Sequence, residues 1–551
     1  MSFIKNFNFK TLKGKYMLKK IITFNLLILS IISCSKVSKK EINTNNDIVI
    51  NLAPEPLTVD PTLNTDNLTM IYILHAFEGL TKKDADNKII GGAAESWDIN
   101  REGNIYTFHI RTNAKWSDGK SVTAKDFVYT WRRAVDPKTA NKYSYYFEVI
   151  KNAKEVISGE KAIEELGVRV VDDYTFEVEL NSPTAYFLEL AAYPPFYPVR
   201  EDIINKYGDE WTLKPESYIG NGAFKMTERN FDKSIILERN TNYWNNENIK
   251  PNKLTFLLME EPNTSLAGIL NGSIHFAKPF PRNDIEALKK KGVVHIVPVA
   301  ASYYYRFNLN NKEALKDNRV RLALSLAIDR DYIVKSITKC GERPAGSLVP
   351  YGINDINGDF REKGGEHIIS SNYQKNLEEA KKLLSQAGYQ NGKNFPVIDL
   401  LIATREFDIN IADAVQTMLK ENLNIDVRIV KHEWASYLQN MYDRNFDLAV
   451  YLWYADYNDP INFLNIFKSD APNNYGSYSN KAFDDYIDIA STNKNNNIRM
   501  HALHLAENIF MNDNSIVPIY FYSEALLVSP KLKNVEYDSQ GLYRFFNAYL
   551  E

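Results

Sequence analysis

Leu452-Trp453-Tyr454-Ala455-Asp456-Tyr457-Asn458-Asp459-Pro460 sets one carboxylate, Asp456, among three aromatic rings. The run before it, 446–452, is short and mostly apolar and reads as a buried strand. A strand that delivers a carboxylate into an aromatic setting suits a cationic amine carried on a varied, partly apolar body. The anion supplies the counter-charge and the rings supply apolar area. The free N-terminus of a peptide is such a group. The competing reading of Asp456 is a turn or helix-capping aspartate.

Strand–helix alternation surrounds that stretch. Residues 397–403, 426–430 and 447–453 have strand character, and 320–337, 377–387 and 409–421 have helical apolar spacing. From about residue 300 onward this predicts an α/β lobe with a largely parallel sheet. Earlier segments read differently. A strand over 47–52 stops at Pro54-Glu55-Pro56, and 68–80 is spaced for a helix. Residues 105–111 alternate as a half-buried strand behind a turn at Gly103. Thr123 is placed to cap a helix carrying Phe127, Trp131 and Ala134. Residues 168–170 and 174–180 form a hairpin, and strands at 235–239 and 253–258 flank Tyr243-Trp244. The last 35 residues return to strand-like runs, 516–522 and 525–528, expected to pair with the first lobe.

The N-terminal order is that of a secretion signal: Leu18-Lys19-Lys20, an apolar stretch over 21–32, then Ser33-Cys34. That stretch is shorter than the roughly 20 residues a membrane-spanning helix needs. Met17 gives a signal of ordinary size and is read as the start. Ile31-Ile32-Ser33-Cys34 resembles a bacterial lipobox, which makes Cys34 the lipidated mature N-terminus; the alternative is an ordinary signal with a chance cysteine. Residues 34–47 read as the lipidated cysteine and a flexible tether. No second apolar run long enough to span a membrane follows, and the remainder is large enough for two or more domains. With 66 basic against 69 acidic residues, net charge −3, the chain lacks the basic footprint of a nucleic-acid partner. Cys340 is the other cysteine; with Cys34 lipidated, no intramolecular disulfide can form. Tyrosine is abundant, 34 residues, but so are Asn, Lys and Ile, as in an AT-rich coding sequence, so position must carry any argument from it.

Phe77-Glu78-Gly79-Leu80, Ala94-Glu95-Ser96-Trp97, Tyr106 to Arg111, Ala114-Lys115-Trp116-Ser117-Asp118-Gly119, and Thr123 to Tyr129 follow one another in order. Asn221-Gly222-Ala223-Phe224, Arg239 to Trp244, Asn318-Arg319-Val320-Arg321 and Ala455-Asp456-Tyr457-Asn458 complete the series. Each is weak alone; together, at this spacing, the chain resembles the extracytoplasmic oligopeptide-binding proteins (solute-binding protein family 5) that serve ATP-binding-cassette importers. The resemblance implies an α/β, two-lobed periplasmic-binding-protein fold of type II, cluster C-like, with a hinge and an inserted domain. Lobe I would comprise 48–67, 190–290 and 515–551, the inserted domain 68–189, and lobe II 291–514, after a signal peptide over 1–33.

The resemblance also implies residue roles. Asp456 would hold the α-ammonium of a short peptide. Glu55 would lie near the ligand backbone in a segment that can pair with it as an added strand. Trp434, Trp453 and Tyr454 would line side-chain pockets, as would Tyr143 and Tyr304, for which core packing is the rival reading. Some relatives take the peptide C-terminus with Arg and His residues; the corresponding positions here are Asp408, Met441 and Val450, leaving Arg405, Arg444 or Arg306 as substitutes. Implied partners are short peptides, permease subunits in the membrane, ATPase subunits indirectly, and the membrane through the lipid anchor, with the receptor a monomer on the outer side of the cell membrane. The family also includes receptors for cell-wall peptides and nickel complexes, and lipidated members can act as adhesins or sensors. No cofactor or metal is implied. The sequence carries no Gly-x-Ser-x-Gly elbow, no phosphate-cradling Gly-rich loop and no His-Glu-x-x-His, so an enzyme is not expected. His501, His504 and Glu507 share a helix face, which reads as a solvated surface in preference to a metal site.

Overall fold

The computed structural model describes residues 46–281 and 285–551; the expected signal segment and Cys34 lie outside them. The strand read at 447–453 runs Leu448–Tyr454. Ile398–Ala403 pairs in parallel with it and with Val427–His432, as strand–helix–strand alternation requires. Helices Asn318–Leu326, Tyr373–Gln386 and Glu406–Leu423 cover this part of the sheet. Leu324, Ala380 and Val415 bury against Leu400, Ile402 and Val450 in one apolar cluster.

Two long antiparallel strands, Val294–Phe307 and Ile516–Val528, extend the sheet. Beyond them follow Phe276–Ala277, Asp47–Asn51, Lys253–Leu257, Ser234–Arg239 and Phe224–Asn230, and Arg343–Pro344 pairs with Ile516–Val528 off this path, giving one eleven-stranded sheet among the described residues. The two runs expected near the C-terminus are thus a single strand, and its far end pairs with Phe276–Ala277, the neighbour of Asp47–Asn51. The register of the long pair slips between Pro298 and Ser302. A bulge of this kind bends and twists a strand, and it is where a proline, with no N–H for the ladder, is tolerated. Ala301, at the bulge, begins the pairing with Tyr454. The mixed α/β architecture fits the two-lobed fold expected above, and the segment carrying Asp456 leaves the sheet beside the bulge.

A separate antiparallel sheet is ordered Ala94–Ile99, Ile105–Ile110, Thr175–Glu179, Val168–Asp172. Helix Ala124–Val135 packs on it. The Asp126 carboxylate accepts from Thr123 N at 2.7 Å, one half of a capping box. Trp131 is fully buried, edge-on to Phe176 at 4.9 Å, and its Nε1 donates to Phe196 O at 3.0 Å.

Two helices depart from expectation for physical reasons. The one read over 68–80 is Asn67–Ala76, because the Ala76 carbonyl accepts from Gly222 N at 2.9 Å. A Cβ at Gly222 would stand 2.6 Å from the Ala76 carbonyl carbon, so this approach requires glycine. The one read over 320–337 stops at Leu326 and restarts behind Asp329, whose carboxylate accepts from Tyr332 N at 2.9 Å. Carbonyls freed by the break accept from buried Arg330, including Ser325 O at 2.9 Å and Ile328 O at 3.2 Å. Cys340 is buried. Among the described residues, no helix is long and apolar enough to cross a membrane.

Candidate ligand-binding site

Within Ala455-Asp456-Tyr457-Asn458-Asp459 nearly every side chain is engaged in holding the segment. Ala455 N donates to Ala300 O at 2.8 Å, tying the segment to the bulge. Tyr457 stacks on Tyr186 with ring centroids 4.3 Å apart. Asn458 donates to Gly352 O at 2.9 Å and Ser539 Oγ at 3.1 Å, and accepts from Asn354 N at 2.7 Å. Asp459 is buried and pairs with Arg499 at 2.5 Å. Asp456 differs: among the described residues it joins no salt bridge with a basic side chain, and Asn462 Nδ2 reaches its Oδ2 only at 3.5 Å. Gln540 holds its backbone carbonyl.

Burial pushes the Asp456 carboxyl up to about 6, against a smaller opposing pull from the Tyr146 hydroxyl and the Asn462 amide. Its negative charge is felt in turn by Tyr143, Tyr145, Tyr146 and Tyr193, whose phenols burial and this carboxylate together hold well above their ordinary range. The rings of Tyr143, Tyr145 and Tyr146 contact one another, and Tyr146 meets Tyr193 at 5.6 Å. The result is a half-buried carboxylate with no basic partner among the described residues, bordered by neutral phenols, which can accept one cation and offer it ring faces.

The other candidates divide. Trp453 belongs to this site: its Nε1 donates to Asn462 Oδ1 at 2.8 Å, and its ring is parallel to Tyr451 at 6.3 Å. Tyr143 lies beside Asp456, and its hydroxyl donates to Thr65 O at 3.1 Å. Tyr454 is half-buried, edge-on to Tyr522 at 5.5 Å. Trp434 is exposed, stacked on Tyr437 at 5.3 Å with the Arg405 guanidinium 5.2 Å from its ring. Tyr304 is fully buried and accepts from Arg306 at 3.3 Å, the core-packing alternative for that residue. Glu55 accepts from Arg229 at 2.8 Å and from Asp232 N at 3.0 Å, so its carboxylate is held by the hairpin 224–239.

Asp408, Met441 and Val450 are all buried. Asp408 accepts from Arg405 at 2.6 Å and Tyr303 at 3.0 Å, so Arg405 is already paired. Arg306 is buried with its guanidinium 4.5 Å from the Tyr451 ring, 4.7 Å from Phe467 and 5.5 Å from Tyr475. Arg444 is exposed. His504 bonds to Asp355 at 2.8 Å and Glu507 pairs with Arg361 at 2.7 Å, so the two do not converge on a common point. Sequence reasoning missed Tyr193, Asn462 and Gln540, which come from other segments; only the tyrosine cluster at 143–146 carried a visible signal.

Residues 88–475 match the family model described as bacterial extracellular solute-binding proteins, family 5 Middle. The chain is 33% identical over 519 residues to the oligopeptide-binding protein OppA of Bacillus subtilis (strain 168), covering 93% of this chain and 94% of that one. It is 37% identical over 464 residues to the periplasmic oligopeptide-binding protein OppA of Salmonella typhimurium, covering 82% and 83%. Among solved structures, the unliganded open form of the periplasmic murein tripeptide-binding protein MppA superposes with a TM-score of 0.79 at 34% identity, over 92% of this chain and 97% of that one. With most of its length matched in both sequence and fold, the chain belongs to family 5 of the bacterial extracellular solute-binding proteins.

Proposed function

We propose that this protein is the extracytoplasmic receptor of an ATP-binding-cassette importer and captures short peptides by their α-ammonium at Asp456. The observation that carries the reading is the Asp456 carboxylate itself, shielded, without a basic partner among the described residues, and ringed by tyrosines. The names of the relatives, which bind oligopeptides, agree with it. Trp453 and Tyr143 flank the ammonium, and Tyr454, Trp434 and the loop carrying Glu55 contact more distant parts of the ligand. Lobe I (48–67, 190–290, 515–551) and lobe II (291–514) close about the crossing strands, with 68–189 as an inserted domain. Closure traps the ligand without chemistry on it, and a permease recognises the closed form. Cys34 carries the lipid that keeps the monomeric receptor at the outer side of the membrane.

Native mass spectrometry of the protein lacking residues 1–34, purified gently from cells, tests this. A heterogeneous set of adducts that fragment as short peptides, absent from Asp456→Ala, is expected. A single non-peptide adduct would redirect the assignment to a specialised ligand, and a bare protein that ignores added tri- and tetrapeptides would overturn it.

A further inference from the structure

Asn462 stands in the short helix Ile461–Leu464 and is buried. Its Oδ1 accepts from Trp453 Nε1 at 2.8 Å and faces Asp456 N at 3.4 Å, while its Nδ2 faces Asp456 Oδ2 at 3.5 Å. One amide therefore touches the carboxylate and the indole at once, using its acceptor for the ring and a donor for the anion. The two contacts to Asp456 are longer, and so weaker, than the bond to Trp453. The titratable groups facing Asp456 from the neighbouring elements are phenols, Tyr143, Tyr145, Tyr146, Tyr193, Tyr451 and Tyr457.

We propose that Asn462 is a positioning and specificity-determining residue, which sets the amine anchor and the adjacent aromatic wall in one frame so that a ligand's ammonium and its neighbouring apolar group are read together. This rests on the role given to Asp456 above. Asn462→Asp keeps an acceptor for Trp453 but turns a like charge toward Asp456, holding that carboxyl protonated to higher pH. Asn462→Leu removes both contacts.

The test is calorimetric affinity for Ala-Ala-Ala and Phe-Ala-Ala between pH 5 and 9, on full-length mature protein and on Asn462→Asp, Asn462→Leu and Asp456→Asn, each checked for cooperative unfolding. Asn462→Asp should move the midpoint of the pH profile up by about one unit. Asn462→Leu should weaken binding about tenfold at pH 8 and narrow the difference between the two peptides. Should Asp456→Asn abolish binding while both folded Asn462 variants keep the parent midpoint and preference, the role of Asn462 is overturned alone. If Asp456→Asn binds like the parent and the parent profile is flat, the ammonium site itself is wrong and this inference falls with it.

Discussion

Asp456 and Asp459 sit three positions apart in one segment and do opposite work. Asp459 is matched by Arg499 at 2.5 Å inside the fold, so its removal leaves a buried guanidinium unpaired. Asp459→Ala should lose roughly 3–5 kcal/mol of stability, read by denaturant unfolding. Asp456 has no such partner among the described residues, and its removal should instead weaken peptide binding. Loss of a buried charge pair costs roughly 2–5 kcal/mol, or about 30- to 3,000-fold in affinity. The pH dependence follows from the carboxyl that burial raises to about 6. Above its unfolded value the native state holds this proton more tightly than the unfolded chain does. Stability of the empty protein therefore falls as pH rises from about 4 to about 6, by at most about 3 kcal/mol. Asp456→Asn should remove that loss and raise the unfolding midpoint at pH 7 relative to the parent. Binding of an ammonium needs the ionised form, so affinity should decline by about tenfold per pH unit below 6, measured by calorimetry in matched buffers. Asp456 was legible because an apolar run delivers it between aromatics. Asn462, Tyr193 and Gln540 were not, since their roles arise only when separate segments meet.

Among the larger pieces, legibility tracked exposure. Strands with one wet face, such as Ile105–Ile110 with its alternating burial, show a period of two in the sequence. Val294–Phe307 does not, because Ala300 to Phe307 are all buried. A strand covered on both faces has no polar alternation to read, and the most important element of the fold went unassigned for that reason. The helix break at Asp329 was likewise hidden, since apolar spacing continues past it while buried Arg330 claims the carbonyls. Several of the motifs that carried the family resemblance turn out to be scaffold. Asn221 brackets the backbone of Glu78 at 2.9 and 3.0 Å, and the Glu78 carboxylate accepts from Trp244 Nε1 at 2.7 Å. The helix Ala124–Val135 supports the tyrosine shell indirectly, since the Trp131 ring meets Phe147, the neighbour of Tyr146, at 6.2 Å. Trp131→Ala should destabilise the protein by about 3–5 kcal/mol, seen as early loss of amide protection over 94–180. Peptide affinity should fall less than in Asp456→Ala, because the carboxylate itself stays in place.

Across the molecule, the two longest strands pair through a bulge, and the segment carrying Asp456 is bonded to that bulge through Ala455 and Ala300. If, as proposed, the lobes close about the ligand, a peptide held at Asp456 must bind the closed arrangement more tightly than the open one. Small-angle scattering should show a smaller radius of gyration with saturating tetrapeptide than without, and no change for Asp456→Ala at the same concentration. The proposed role of Asp456, a carboxylate without a basic partner among the described residues, is to select ligands by their free amine. It is tested most directly by titrating one tetrapeptide, with its N-terminus free and N-acetylated, into the mature protein at pH 7.5 and into Asp456→Asn. Tight binding is expected for the free amine, with a loss of about 30-fold or more on acetylation and the same small affinity for both peptides in Asp456→Asn. Equal affinity of the parent protein for the free and acetylated peptides would contradict it.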